Sequence, residues 1–188
     1  MLTSKKHLFF GLAGVIWFGP ALTAQAVPGA TMTLGGTQPK TLSASQMAAV
    51  DKTATQGVVS ADRKTLTFRQ KAVRLVVHSG PANDMLSYRI AGLRNPTLIV
   101  RAGATLKALF INTDDDMTHN LRFTVQRPPF KAAAVKAVGT ANLSHKSKTA
   151  YHAEDLTLRV PAHAGTYTYL CTVPGHAPGG MYGMLIVR

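Results

Sequence analysis

The sequence is poor in cysteine and in acidic residues. The first shortage excludes an internal disulfide, and the second limits the loss of stability in acid. Cys171 is the only cysteine among the 188 residues, so no intramolecular disulfide can form. Eight acidic residues stand against 21 lysines and arginines, which gives a formal net charge of +13. Acid denaturation works mostly by protonating carboxylates that the fold stabilises as anions, so a protein with few of them has little stability to lose at low pH. The composition therefore indicates adaptation to acid.

The sequence also lacks internal repeats, signs of a second domain and nucleic-acid-binding motifs. Its basic residues are scattered along the chain, so we expect no nucleic-acid partner. The length suits one domain with a substantial core. The positive charge favours an acidic protein partner or an anionic lipid surface.

The first 26 residues have the pattern of an export signal. Lys5 and Lys6 form a basic start, residues 8–18 are apolar, and Ala24–Ala26 fits the small-x-small cleavage rule. The alternative is an uncleaved anchor in the inner membrane, because the apolar stretch 8–27 approaches the ~20 residues that a spanning helix needs. Both alternatives place the folded domain in the periplasm. Cleavage would remove Lys5 and Lys6 and lower the net charge from +13 to +11.

After the export segment, the sequence predicts an extension over residues 27–56 and one β-rich domain over residues 57–188. Residues 27–39 are rich in Gly and Thr and predict a mobile leader. Ser43 and Gln46 fit a capping box, which predicts a short helix to about Lys52. Short apolar or alternating runs between turn signals then predict an antiparallel β-sandwich. The predicted strands are Thr65–Phe68, Val73–Val77, Met85–Ile90, Pro96–Arg101, Thr105–Asn112, Leu121–Val125, Leu156–Val160, Gly165–Cys171 and Met184–Arg188.

Cys171 is followed at equal intervals of five by His176 and Met181, and His119 lies upstream at the start of an alternating segment. A thiolate suits Cu(I), imidazole serves both copper oxidation states, and a trigonal His2Cys plane with a weak axial Met is typical of copper electron-transfer sites. We therefore predict one copper ion, with His119, Cys171 and His176 equatorial and Met181 axial. Such a site fully satisfies neither Cu(I) nor Cu(II), so little has to rearrange when the electron moves.

The sequence around these residues predicts how they are presented. Cys171 ends a predicted strand, and two turn signals, Pro174-Gly175 and Pro178–Gly180, can fold the chain back towards it. Asn120, or the backbone beside it, is expected to hydrogen-bond the Cys171 sulfur and tie the two ligand loops together. His163 is most simply a solvated or strand-end residue, and the alternative is that its turn, Pro161–Gly165, lies near the site. The uncharged loop residues Pro174, Ala177, Pro178 and Tyr182 predict a low-charge surface patch around His176, where electrons would cross.

Simpler interpretations exist for each residue taken singly. A lone cysteine is usually a small buried hydrophobic residue.

A multicopper oxidase needs paired His-x-His ligands and a dinuclear copper centre needs two bridging cysteines, and the sequence has neither. A hydrolase with Cys171 as nucleophile and His176 as base would leave Met181 unexplained. We therefore expect no enzyme, and the remaining alternative is a periplasmic protein that binds or delivers copper.

Four stretches of the chain resemble rusticyanins, which are acid-stable cupredoxins of acidophilic iron-oxidising bacteria. The stretches are Asn95–Leu106, Phe110–Thr113, Ala164–His176 and Gly180–Gly183, within a similarity that runs from about Thr41 to Arg188. The resemblance implies an all-β cupredoxin Greek-key β-sandwich with a short N-terminal helical extension. It also implies a type 1 (blue) copper, and electron transfer in a periplasmic iron-oxidation chain with a c-type cytochrome or cytochrome c oxidase as partner.

The chain departs from the rusticyanin pattern in two places. Rusticyanins have a serine at the position of Asn120, so the resemblance does not by itself imply an unusually high reduction potential for this chain. The basic, Ala-rich stretch Arg127–Lys148 is also unlike rusticyanin. These departures point to a membrane-associated relative linked to cytochrome c oxidase.

Overall fold

The computed structural model describes residues 32–131 and 135–188, in which two β-sheets pack face to face. The predicted export segment, residues 1–26, lies outside them. In spatial order, the first sheet contains β1 (Thr33–Ser43), β11 (Ala150–Arg159), β8 (Thr105–Asn112), β4 (Ala72–Ser79), β5 (Tyr88–Ile90) and β6 (Leu93–Arg94). The second sheet contains β10 (Val138–Gly139), β9 (Arg122–Thr124), β12 (Gly165–Leu170), β13 (Tyr182–Val187), β7 (Thr97–Val100), β3 (Thr65–Thr67) and β2 (Val58–Val59). The predicted all-β sandwich is confirmed.

The short N-terminal helix is also confirmed. Helix α1 spans Ala44–Val50 and continues as a 3-10 turn over Asp51–Thr53. Ser43 Oγ accepts a hydrogen bond from the Gln46 backbone N–H, and Gln46 Oε1 accepts one from the Ser43 backbone N–H, which is the predicted capping box. Among residues 32–131 and 135–188, no helix is long and apolar enough to cross a membrane.

Two layers of apolar residues hold the first sheet in place, and β8 contributes to both. Leu106, Ala108 and Phe110 share one face and point into the core between the sheets, as their period-two spacing predicts. Leu109 and Ile111 point to the opposite face and pack under α1. Burial on both faces explains why β8 reads as a nearly continuous apolar run.

The expectation of a mobile leader up to Pro39 is wrong for its described part. Residues Thr33–Ser43 form the edge strand β1, which pairs antiparallel with β11 from Arg159 to Ala150. Most of β1 is exposed, so its sequence shows little of the hydrophobic alternation that reveals a strand. Its strand conformation comes from pairing with β11, which sequence spacing does not encode. The boundary at residue 57 stays a prediction, although β1 from the predicted extension joins the sandwich.

The expectation of a purely antiparallel sandwich also needs correction, because three strand pairs are parallel. β4 pairs with β8, and β7 pairs with both β3 and β13. Turn signals mark where strands end, but they do not show which strands pair. The turn at residues 102–104, for example, carries the chain from β7 in one sheet to β8 in the other.

Candidate metal centre

Cys171 lies at the end of β12, as the sequence predicts. Tyr167, Tyr169 and Cys171 all point into the core between the sheets, whereas Leu170 points to the outer face of the second sheet. Cys171 itself is fully buried. Strand geometry therefore delivers a single thiol to the interior at one end of the sandwich.

The segment between Cys171 and Met181 folds back on itself. The Cys171 backbone N–H donates to the Met181 carbonyl at 3.1 Å, and the Met181 N–H donates to the His176 carbonyl at 3.0 Å. Gly175 and Gly180 have φ of 84° and 101°, in the left-handed region that glycine adopts readily. The two predicted turns thus bring His176 and Met181 to the end of β12.

His119 reaches the same place from the other ligand loop. It forms an isolated antiparallel bridge with Leu143, with backbone hydrogen bonds of 3.1 and 2.8 Å between the two residues. Its Nδ1 lies 3.1 Å from Nδ1 of His176 and 3.9 Å from Sγ of Cys171. Nδ1 of His176 lies 3.4 Å from the same sulfur.

These three ligand atoms have the spacing that a trigonal metal site requires. With metal–nitrogen and metal–sulfur bonds of about 2.0 and 2.3 Å, a planar three-coordinate site separates N from S by about 3.7 Å and N from N by about 3.5 Å. The separations in this chain, 3.9, 3.4 and 3.1 Å, are close to those values. One thiolate and two imidazoles also suit copper chemically. The residues present therefore fit one copper ion.

Met181 is fully buried in the same core cluster as Cys171. Its backbone hydrogen bonds to Cys171 and His176 hold it beside the trio. The structure thus brings together all four residues that the sequence singled out.

Asn120 joins the two ligand loops, as predicted. Its side-chain oxygen accepts the backbone N–H of Thr172 at 2.9 Å, and its amide donates to Thr172 Oγ1 at 3.0 Å and to Asn142 Oδ1 at 2.7 Å. The link fixes the loop after Cys171 against the loop that carries His119.

Burial shifts the pKa values of the three residues that converge. Burial raises the pKa of the Cys171 thiol, while backbone N–H groups of Asn120 and Val173 act in the opposite direction. Burial lowers the pKa of His119, opposed by the hydrogen bond that its ring donates to Asp114. Burial and the neighbouring His119 both lower the pKa of His176. Because protons compete with metal for these ligands, a lowered imidazole pKa favours metal binding in acid.

Asp114 is a part of the site that the sequence analysis missed. In the sequence it is one of three adjacent acids, Asp114–Asp116, and the Asp-x4-His spacing to His119 is only a weak signal. Its Oδ2 lies 2.9 Å from Nε2 of His119. Burial alone would raise the Asp114 pKa, but backbone N–H groups of Asp116 and Met117, together with His119, outweigh burial and lower it to about 2.

His163 is exposed in the turn before β12, which agrees with its simplest interpretation. Because Cys171 follows β12, the strand separates His163 from the site by about 20 Å at ~3.4 Å per residue, so the alternative placement near the site is wrong. The expectation that Ala177 lies at the surface is also wrong. Ala177 is buried rather than part of a surface patch, because it packs against Phe130 and Leu170. Pro174 and Pro178 of the same loop are exposed, as expected, and His176 is half-buried.

Comparison with known proteins identifies the family of the chain. The family of copper binding proteins described as the plastocyanin/azurin family matches residues 86–188. The chain therefore belongs to that family, its cofactor is copper, and its general function is electron transfer.

Within the family the chain is a rusticyanin-like cupredoxin. Rusticyanin of Acidithiobacillus ferridurans is 35% identical over 138 residues, which cover 70% of this chain and 71% of that relative. The solved structure of rusticyanin from Thiobacillus ferrooxidans superposes with a TM-score of 0.73 at 31% identity, covering 81% of this chain and 99% of the other. Auracyanin-B of Chloroflexus aurantiacus is 30% identical over 158 residues, covering 80% of this chain and 63% of its own.

Proposed function

We propose that Nδ1 of His119, Sγ of Cys171 and Nδ1 of His176 would hold a type 1 copper ion, with Met181 as a weaker fourth ligand. The observation that carries this proposal is the convergence of the three ligand atoms within 4.8 Å of one another. When bound, the copper supplies one-electron chemistry by cycling between Cu(I) and Cu(II).

The protein around the site keeps it rigid and dry. His119 and Cys171 are fully buried, and Asn120 ties their two loops together. Ligands that cannot move favour the same geometry in both oxidation states, which keeps the rearrangement during electron transfer small. His176 is half-buried and is flanked by exposed Pro174 and Pro178, so its ring edge is the route by which we expect electrons to cross.

The physiological role we propose is single-electron transfer in a periplasmic respiratory chain that oxidises iron. The resemblance to rusticyanin supports a role in respiratory iron oxidation. The export pattern of residues 1–26 supports a periplasmic location. We propose a c-type cytochrome or a cytochrome c oxidase as the partner. The N-terminal segment is either cleaved or retained as an inner-membrane anchor.

Two basic residues lie to one side of the route that we propose for the electron. Phe130 packs against Ala177 and stacks edge-on with Tyr182 at a centroid distance of 5.3 Å, which places the exposed Arg127 and Lys131 on the stretch of chain beside the ligand loop. A positive surface there would steer an acidic partner towards His176.

Stopped-flow mixing of the reduced copper protein with an oxidised c-type cytochrome at acid pH tests this role. We expect single-electron oxidation of the copper, with an association rate that falls as salt is raised. No electron exchange with any c-type cytochrome or oxidase preparation would overturn the role while leaving the copper site itself intact.

Copper delivery is the alternative, and burial of the proposed ligands argues against it. A delivery protein needs a metal that partner ligands can reach, whereas Cys171, His119 and Met181 are all fully buried. We therefore expect copper to stay bound when the protein is mixed with an apo-cupredoxin acceptor, and rapid transfer would favour delivery.

A further inference from the structure

A buried carboxylate lies directly behind one of the proposed copper ligands. Asp114 Oδ2 is 2.9 Å from His119 Nε2, on the far side of the imidazole from Nδ1. The side chains of Asp114 and His119 are 1% and 0% exposed. Asp114 Oδ1 accepts the backbone N–H groups of Asp116 and Met117, each at 3.0 Å. The carboxylate is therefore fixed by three hydrogen bonds, one of which comes from the imidazole.

The backbone at Gly80 closes over this pair. A Cβ atom at Gly80 would lie 2.4 Å from Asp114 Oδ2 and 2.7 Å from His119 Nε2, so a side chain has no room there. Gly80 also has a φ of 61°, which is strained for other residues. The close packing keeps water away from the hydrogen bond, and a charge in such an environment is screened less than one at the surface.

We propose that Asp114 is a positioning residue that fixes the tautomer of His119 and stabilises Cu(II) relative to Cu(I). This inference rests on the proposed role of His119 as a ligand. A carboxylate can only accept at Nε2, so the imidazole proton stays on Nε2 and the lone pair of Nδ1 faces Cys171. A carboxylate behind a ligating histidine also increases the basicity of the ring. Its negative charge favours the more highly charged oxidation state of the metal.

Asparagine is the informative replacement because it keeps the size but has only one acceptor oxygen. If that oxygen serves the N–H groups of Asp116 and Met117, the amide NH2 faces Nε2 and drives the ring proton to Nδ1, against the metal. If the amide is reversed, the loop loses its acceptor. In both cases the negative charge is lost, and the affinity of the site for Cu(II) falls more than its affinity for Cu(I).

The first test compares reduction potentials at near-neutral pH, after the wild-type protein has shown the thiolate-to-copper absorption that the proposed function requires. We expect Asp114→Asn to lower Cu(II) affinity relative to Cu(I) at least tenfold, which raises the one-electron potential by at least about 59 mV. Asp115→Asn is the matched control, since it removes the same charge from a side chain that is 62% exposed and paired with Lys146. We expect Asp115→Asn to change the Cu(II) affinity relative to the Cu(I) affinity less than threefold. An equal change in both variants would overturn the inference while leaving the copper site intact.

The second test needs no variant and so decides the matter even if Asp114→Asn does not fold. Nitrogen-15 NMR of the wild-type protein, in the apo form and loaded with Cu(I), reports which ring nitrogen of His119 carries the proton. In both forms we expect Nε2 of His119 to carry the proton and Nδ1 to be unprotonated. A proton on Nδ1 in the apoprotein would show that Asp114 does not set the tautomer.

Discussion

Met181 is held beside the trio by its backbone, so its side chain is free to tune the copper rather than to hold it. The Met181 N–H donates a hydrogen bond to the His176 carbonyl, and the Met181 carbonyl accepts one from the Cys171 N–H. Met181→Leu nearly conserves volume, and we expect this variant to bind one copper per chain with a changed reduction potential. Copper analysis and a redox titration check this.

Met184→Leu is the matched control for the axial assignment. Met184 lies on β13, three residues further along, and its sulfur is 3.9 Å from the Thr168 hydroxyl rather than at the site. We expect this variant to keep the wild-type potential. Complete loss of copper from Met181→Leu would show that the axial role is wrong.

Asn120 contributes to stability through the bonds that join the two ligand loops. Its side chain makes three hydrogen bonds, two of them to Thr172 across the loops. Asn120→Ala leaves the Thr172 N–H without its acceptor, and we expect the apoprotein to lose about 2–3 kcal/mol of unfolding free energy, measured by urea titration.

Asn142→Ala is the control for that substitution, because it removes only one of the three hydrogen bonds and Asn142 is exposed. We expect a cost below about 1 kcal/mol. If the two variants lose the same free energy, the link between the loops is not what stabilises this end of the sandwich.

At the scale of the element, β12 with the loop after it could be predicted, whereas much of the pairing around it could not. Period-two spacing placed Cys171 at the end of a core-facing strand, and Pro and Gly marked the turns that return Met181. β1 escaped prediction because it is an exposed edge strand whose partner β11 is more than a hundred residues away. Asp114 escaped because its role comes from the fold around Gly80 and His119, which no local pattern displays.

The loop between Cys171 and Met181 also carries the proposed route of the electron. Pro178 is exposed beside half-buried His176. Ala177 is buried, so a charged residue substituted there would unfold the loop. We expect Pro178→Asp to slow electron exchange with the cytochrome severalfold and to leave the copper spectrum nearly unchanged, because a charge there would have to be desolvated in the encounter.

Ala162→Asp is the matched control for the route. Ala162 is exposed in the turn before β12, at the opposite end of the sandwich, and the substitution adds the same charge. We expect it to leave the exchange rate close to wild type. An unchanged rate for Pro178→Asp would move the route away from His176, with the loop at Asp114–Asp116 as the next candidate.

At the scale of the whole molecule, the few carboxylates decide how the protein behaves in acid. The Arg94 guanidinium holds the pKa of Asp84 below its usual range against the opposing effect of burial, and Arg89 acts in the same direction. A pKa depressed in the folded state contributes stability that is complete above the ordinary value of 3.8 and is lost as pH falls through the folded-state value.

We expect the copper-loaded protein to stay folded at about pH 3, below the ~3.9–4.3 of free carboxyl groups, as followed by circular dichroism. Asp84→Asn should cost about 1 kcal/mol at about pH 6, and the cost should vanish as pH falls through the Asp84 pKa. In an Arg94→Gln background the same substitution should cost less. Cooperative unfolding of the copper-loaded wild type above pH 3 would contradict the acid adaptation.

The most direct test of the copper site is the visible absorption spectrum of the copper-loaded protein beside that of Cys171→Ala. The thiolate at the end of β12 is the only sulfur anion the chain can offer, so an intense thiolate-to-copper band must come from Cys171. We predict that the wild type shows this band with one copper per chain and that Cys171→Ala, still folded by circular dichroism, lacks both the band and the redox activity. The same visible spectrum in both proteins would contradict the assignment of Cys171 as a copper ligand.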